Sequence, residues 1–441
     1  MKKKQQIFSP DWISLHPYEN SANTDYYYIK LANRVHEVIE NTLSSINDED
    51  YLIMTDRDKK ALSCILTAYF EDIISESEIW NTFVNLTKNK YNRFLPFFDT
   101  TDYAEGEINI EDVKFLCWHF FTQINESQIA IAPTENLFSK IAEGAYEIFD
   151  AEYETAPANE KLKSFFELPD DANLFEAQSK FFWLGTESYL FYFNSRDLEK
   201  ELNEVSIVAE EQGMQEQLGE MINMVLTDFS FNNITELHKL TAPQWLGYIL
   251  GEEHELYEPL INMNLKKSGY FIFQEQDSMY AQFKHVASEE IIQVTNRSLS
   301  GYPKDLKSNE VVIYAGFVEW QGEWWFVGDL RGYDVDEELI TEIKNRPEEQ
   351  SLFIEANEEN INEEAITKYI DNTLSSLREE HPEEEELDLY WSLLFDPEIP
   401  TQYLKTNILR NNLGKLSFPG EGNEQLLKAN IDFVMDYFRR I

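Results

Sequence analysis

Apolar positions recur with the period of an α-helix along most of the chain. In residues 55–74 they follow the i, i+3, i+4, i+7 spacing of one buried helix face. Thr55 precedes this run and Asp58 stands at the third helical position, so the two can cap the helix reciprocally. Residues 110–124 repeat the pattern, and similar segments continue to about residue 262. The sequence therefore predicts a helical domain over residues 1–262.

Residues 268–331 instead show the period-two alternation of β-strands. Two apolar runs, Val311–Trp320 and Glu323–Leu330, flank Gln321-Gly322. Because Gly322 can adopt the positive φ of a two-residue turn, the two runs are predicted to form a tight hairpin. The expected facing pairs are Glu319–Trp324, Phe317–Phe326, Ile313–Leu330, Val318–Trp325 and Gly316–Val327.

Both faces of this hairpin are apolar, which predicts that its own sheet covers one face and helices cover the other. We therefore expect Trp324 and Phe326 to be nearly inaccessible. We also expect Val318 or Trp325 to contact a helix outside the sheet.

Three further strands are predicted near residues 269–275, 279–286 and 289–295. Together with the hairpin they predict a small antiparallel β-barrel or curled sheet inserted at about 268–331. The expected fold class is α+β and mostly helical. It comprises the helical domain, a β-barrel-like module at 263–332, and an acidic helical C-terminal region at 333–441 packed on the preceding parts.

Charge changes this picture most, because the chain carries a net charge of −46. Residues 333–400 hold 22 acids and 4 bases, a balance of −18, while residues 401–441 hold 4 acids and 6 bases, or +2. Such a negative field repels phosphates, which argues against nucleic acid and anionic membrane as partners and favours a basic protein. The densest run is Glu383, Glu384, Glu385 and Glu386, the first candidate partner-binding residues.

The two cysteines, Cys64 and Cys117, are too few for a disulfide framework or a zinc site. No signal-peptide core and no apolar run of about 18 residues is present. A cytoplasmic location is therefore expected. The sequence also has no Walker, Rossmann or Gly-x-Ser-x-Gly pattern, so we predict no cofactor.

The strongest candidate for a catalytic or metal site is Glu252-Glu253-His254-Glu255, with Glu258 one turn beyond His254 and His238 upstream. Histidine and carboxylates can bind a divalent metal, but the metalloprotease spacing of two histidines is missing. A solvated helix end is the competing interpretation and is the commoner one in so acidic a chain.

Three other patterns have both a functional and a purely structural interpretation. Thr101–Asp112 places Gly106 and Asp112 as a calcium loop does, but Tyr103 occupies a ligand position, so a capped helix start explains it better. Cys117 and His119 are close in sequence but point apart on a helix, which favours a buried thiol over a nucleophile. Trp320, Trp324 and Trp325 could form an aromatic platform, with Trp320 and Trp325 as further partner-binding candidates, or could simply be core.

Three parts of the chain stand out together: HPY followed by TDYYYIKLANRV, then ALSCILTAYFEDIISESEIWNTFV, and FLPFFD followed by EINIEDVKFLCWHFF. These segments resemble an uncharacterised family of bacterial cytoplasmic proteins, a domain of unknown function. The resemblance is strongest over about residues 1–160. It implies a soluble bacterial protein and nothing about mechanism.

The sequence thus favours a non-enzymatic interaction or regulatory protein whose acidic surface engages a basic protein partner. Mimicry of nucleic acid is one form of this hypothesis. The alternative is a hydrolase or metal-dependent enzyme near the junction of the helical domain and the β module, using Glu253 and His254. The missing catalytic motifs argue against an enzyme without excluding one.

Overall fold

The computed structural model describes residues 6–45, 54–95, 98, 100–124, 133, 136–235, 237–238, 240–263, 266–299, 311–334, 336–345, 363–382, 389 and 393. Its helices are α1 Ser9–Ile13, α2 Asp25–Ser45, α3 Asp56–Ser75, α4 Ile79–Tyr91, α5 Ile110–Ile124, α6 Asn136–Glu152, α7 Glu160–Lys163, α8 Leu174–Thr186, α9 Tyr192–Glu211, α10 Leu218–Asn232, α11 Ala242–Leu250, α12 Tyr257–Ile261, α13 Glu337–Asn345 and α14 Glu363–Glu380. Its strands are β1 Lys267–Gln276, β2 Tyr280–His285, β3 Ile291–Thr295, β4 Val311–Trp320 and β5 Glu323–Asp334.

Helix α3 begins with the capping box that the sequence predicts. The Thr55 N–H donates to Asp58 Oδ2 at 3.1 Å, and the Asp58 N–H donates to Thr55 Oγ1 at 3.2 Å. Residues 62–73 of this helix are buried without interruption. A helix buried on every side must lie inside the helix assembly, so α3 forms its centre.

The five strands form a closed ring in the order β1-β2-β3-β5-β4, with β4 pairing back to β1. The α+β fold class is confirmed. The expectation of a purely antiparallel sheet is wrong, because β3 and β5 pair in parallel through Val294 and Trp324. The interior of the ring is apolar and rich in phenylalanine: Phe271, Phe273, Phe283, Phe317 and Phe326.

The predicted hairpin register is confirmed near the turn and lost further from it. The four pairs from Gly316–Val327 to Glu319–Trp324 are present. Ile313 faces Gly332 rather than Leu330, because an irregularity between Tyr314 and Gly316 shifts the register.

Both faces of the hairpin are buried, as predicted. Phe326 lies inside the ring, while Val318 and Trp325 belong to the helical core. The Trp325 ring meets Phe175 of α8 edge-on with centroids 5.7 Å apart. Trp324 departs from expectation, since it is only half-buried.

Helix α14 packs on the helical core through its buried residues Ile370 and Leu374. The boundaries 1–262, 263–332 and 333–441 remain predictions. No helix of the described residues is long and apolar enough to cross a membrane.

Candidate functional site

A cleft of about 680 Å³ opens between α1, the first half of α3 and the start of α9. This volume lies within the range of small-ligand sites, about 300–1,000 Å³. The lining residues are Asp11, Ser14, Leu15, Asp56, Arg57, Lys60, Ala61, Cys64, Glu187, Tyr192, Ser195 and Glu199.

Local interactions hold the walls of the cleft in place. In α1 the Phe8 N–H donates to Asp11 Oδ2 at 2.8 Å, which caps this short helix. Across the cleft, Arg196 Nη2 of α9 donates to Asp58 Oδ1 of α3 at 2.7 Å. This ion pair joins the two helices that carry most of the lining.

Carboxylates dominate the charge of the cleft. Asp11, Asp56, Glu187 and Glu199 line it beside two bases, Arg57 and Lys60. Partial desolvation raises the pKa of Glu187. Asp56, Glu187 and Glu199 are exposed, so the preference of the cleft for a positively charged group rests on its excess of acids over bases more than on burial.

The potential nucleophiles of the cleft are poorly suited to catalysis. Burial raises the pKa of the Cys64 thiol, which disfavours the reactive thiolate. The Ser14 hydroxyl donates to the Asp11 carbonyl at 3.0 Å, and the Ser195 hydroxyl donates to the Tyr192 carbonyl at 2.7 Å. The geometry therefore suits binding better than covalent chemistry.

A buried polar network anchors the segment that forms one wall. His16, next to the cleft residue Leu15, lies 2.6 Å from Glu71 Oε2 through its Nε2. Both side chains are almost inaccessible, at 2% and 0% exposed. Burial lowers the pKa of His16, but the charge and hydrogen bond of Glu71 outweigh it, so the pKa is raised overall.

The network continues from Glu71 to residues 6–24, the segment before α2, which forms the N-terminal arm. Asn159 Nδ2 donates to Glu71 Oε1 at 2.9 Å and to the Tyr18 hydroxyl at 2.7 Å. The Tyr18 hydroxyl in turn donates to Asp25 Oδ1 at 2.9 Å. Since Asn159 lies far along the chain, this network ties the arm to α3 and fixes the wall of the cleft.

The structure does not bring the predicted His–Glu group together. The His254 Nε2–H donates to the Leu168 carbonyl at 3.1 Å, and His254 Nδ1 accepts from the Leu256 N–H at 3.1 Å. His238 hydrogen-bonds Thr87 instead. Glu252, Glu253, Glu255 and Glu258 are exposed. His254 therefore stabilises a turn.

The calcium-like loop is occupied by its own tyrosines. Asp112 accepts hydrogen bonds from the hydroxyls of Tyr69 at 2.7 Å and Tyr103 at 2.8 Å. Burial raises the pKa of Asp112 to about 7, which weakens it as a cation ligand. In the part of the chain that the structure describes, no three His, Cys, Asp or Glu side chains converge as a metal site would require.

The remaining candidates lie in the interior or outside the described residues. Trp320 and Trp325 are 2% and 3% exposed and offer little surface to a partner. Burial raises the pKa of Cys117 and lowers the pKa of His119 to about 4, so both are held neutral. Glu383, Glu384, Glu385 and Glu386 lie outside the described residues.

A family model described as "Protein of unknown function (DUF3843)" matches residues 6–374. The chain belongs to this family. Neither a curated protein nor a solved structure matches the chain. The match spans the cleft and the strand ring, while Glu383–Glu386 lie beyond it.

The sequence patterns did not indicate Asp11, Glu187 or Glu199 as site residues. They come from separate segments, and none of those segments contains a recognisable motif. Trp12, His16 and Tyr18 lie in one short segment near the start of α2, and their aromatic and polar side chains belong to the network behind the cleft.

Proposed function

We propose that this protein is a non-enzymatic interaction or regulatory protein whose acidic surface engages a basic protein partner. The observation that carries the proposal is the cleft, where Asp11, Asp56, Glu187 and Glu199 surround a cavity of about 680 Å³. A lysine or arginine side chain of the partner would enter this cavity. Mimicry of nucleic acid is one form that such a function could take.

The shape of the site strengthens this electrostatic argument. Carboxylates in a concave, partly desolvated site attract a cation more strongly than carboxylates on an open surface. The raised pKa of Glu187 reflects that desolvation. Arg57 and Lys60 would orient the partner by pairing with an acidic or carbonyl group near the bound base.

The acidic segment would act at longer range. Residues 333–400 carry 22 acids and 4 bases, a charge of −18 in 68 residues. Charge of this density steers a basic partner toward the surface and increases the association rate. Salt weakens the effect, since the Debye length is about 8 Å at 0.15 M.

The test captures a basic partner from a native cell lysate and measures its binding kinetics over a range of salt concentrations. Glu187→Gln with Glu199→Gln should weaken binding about three- to tenfold, mainly through faster dissociation. Glu143→Gln with Glu147→Gln removes the same charge from the exposed face of α6 and serves as the control.

Replacing Glu383, Glu384, Glu385 and Glu386 by glutamine should slow association and leave the melting temperature unchanged or higher.

Two results would contradict the proposal. One is a partner whose affinity is indifferent to the cleft variant, and the other is an association rate indifferent to both salt and the four glutamines. The acidity would then serve solubility alone.

A further inference from the structure

Helices α9 and α10 form an antiparallel hairpin whose two halves differ in burial. The second half of α10 is held in the fold, with Phe229, Ser230 and Phe231 buried and Thr227 against Gly328 of β5. Residues 218–226 of α10 are only half-buried or exposed, although most of them are apolar. The connected ends of the two helices therefore present an apolar surface with partly accessible side chains in the described part of the chain.

Two large exposed apolar side chains are neighbours at this end. Ile207 and Val208 of α9 are 55% and 38% exposed. Around them the hairpin carries further apolar residues that are partly accessible: Val205, Met214, Leu218, Met221, Ile222, Met224, Val225 and Leu226. Methionine is flexible and polarisable, and surfaces rich in it adapt to varied apolar partners.

The charge of the same segment has one sign. Residues 201–228 contain seven acids and no lysine or arginine: Glu201, Glu204, Glu210, Glu211, Glu216, Glu220 and Asp228. An apolar strip with acids on its flanks complements a helix that has one apolar face and basic residues beside it. We infer that the α9–α10 hairpin is the docking surface for a basic amphipathic helix, an inference that rests on the proposed function and names the form in which the partner presents its charge.

The charges disfavour other occupants. A second copy of this chain also carries −46, so two hairpins would repel each other across a contact. An anionic lipid surface is repelled for the same reason. A basic helix is instead attracted by the seven acids of residues 201–228, and its apolar face can cover Ile207 and Val208.

The probe is a fluorescent peptide of about 18 residues, or five helical turns, with leucine on one face and lysine on the other. A scrambled peptide of the same composition keeps the charge and removes the apolar face. Fluorescence anisotropy with the full chain should show that the amphipathic peptide binds at least tenfold more tightly than the scrambled one. Equal affinity for the two peptides would overturn the inference.

The matched variants are Ile207→Gln with Val208→Gln on the hairpin and Met279→Gln with Ile291→Gln on the strand ring. The control residues are 62% and 59% exposed, so both pairs remove exposed apolar groups without opening a core. The hairpin variant should weaken peptide binding about tenfold. The control variant should leave it within about twofold, and circular dichroism should show both variants folded. A hairpin variant that binds the peptide as the wild type does would overturn the inference.

Binding of the native partner separates this inference from the proposed function. The cleft variant is Glu187→Gln with Glu199→Gln, and the hairpin variant is Ile207→Gln with Val208→Gln. If the cleft variant no longer binds the native partner but the hairpin variant still does, the proposed function stands and the hairpin inference fails. If the hairpin variant no longer binds the peptide, but no basic native partner requires the acidic surface for binding, the hairpin inference stands and the proposed function fails.

Discussion

The two cores of this protein are built in different ways. The interior of the strand ring consists of apolar side chains, and Phe317 at its centre packs on Phe271, Phe283 and Phe326 with ring centroids 4.9 to 6.0 Å apart. The helical core also buries ionisable groups, and α3 alone carries Glu71 and Asp72 at 0% and 2% exposure.

Each buried carboxylate of the helical core has dedicated partners. Asp72 accepts from the Tyr189 hydroxyl at 2.6 Å, the Ser77 hydroxyl at 2.5 Å and the Trp80 N–H at 2.8 Å. Burial nevertheless raises the pKa of Asp72 to about 6. The ring should therefore depend on the shape of its side chains, whereas the helical core should depend on their protonation as well.

The largest expected effect is in the ring. Phe317→Ala removes a fully buried aromatic side chain and should lower the free energy of unfolding by about 3–5 kcal/mol. Denaturant unfolding measures the change, and the loss should be nearly the same at pH 6 and pH 8 because the aromatic rings that pack directly on Phe317 are those of phenylalanines, which do not ionise. Ile291→Ala is the control on an exposed site and should stay within about 0.5 kcal/mol. A loss at Phe317 that varied with pH would contradict the distinction between the two cores.

Replacing one atom in the helical network should have a smaller effect. Glu71→Gln keeps the shape of the side chain but removes the negative charge that pairs with His16 and accepts a hydrogen bond from Asn159. The expected loss is about 1.5–3 kcal/mol, the range for hydrogen bonds to charged groups. Glu76→Gln removes an exposed partner of Lys163 at the end of the same helix and should cost much less, because solvent screens this pair. Equal losses for the two variants would show that the network contributes no more than a surface pair.

The smallest expected effect is the pH dependence of the wild type. The pKa values of Asp72 and Asp112 are raised to about 6 and about 7, and that of His16 is also raised. A raised folded-state pKa gives stability that is present at low pH and lost as the pH rises through it. The melting temperature should therefore be higher at pH 6 than at pH 8.

The pKa of His119, lowered to about 4, has the opposite sign, because its contribution is lost as the pH falls from 6.5 toward 4. His119 should therefore offset only part of the stability that Asp72 and Asp112 lose between pH 4 and pH 6, and stability should keep falling from pH 6 to pH 8. Asp112→Asn should flatten the curve between pH 6 and pH 8, whereas Phe317→Ala should shift the whole curve without flattening it. A wild-type melting temperature that rose steadily from pH 6 to pH 8 would contradict the assignment.

Local chemistry explains which features could be predicted from the sequence. Thr55 and Asp58 are three residues apart, so the sequence predicts the capping box that begins α3. Gly322, which has a positive φ, likewise predicts the turn of the β4–β5 hairpin. The register beyond Tyr314 could not be read, because an irregularity on one strand leaves no signature in the alternation of apolar residues. The partial exposure of Trp324 could not be predicted either. Trp324 lies beside the turn and forms the parallel pair with Val294 of β3, and the alternation of apolar residues does not indicate this pairing.

The site could not be predicted because it is assembled across the chain. His16 and Glu71 are 55 residues apart, and Asn159 lies 88 residues beyond Glu71. Each of them is unremarkable within its own segment. The cleft has the same origin, since its acids come from α1, the start of α3 and the region around the start of α9.

The closed ring also limits how the protein can assemble with others. Every strand of the ring has two hydrogen-bonded neighbours, although β3 and β5 share only the Val294–Trp324 pair. Among the described strands an extended peptide therefore finds little open edge on which to add as a further strand. This closure also limits the edge-to-edge stacking by which exposed strands aggregate. We therefore expect a partner of the described part of the fold to contact side chains, on the helices or at the mouths of the ring, more than backbone groups.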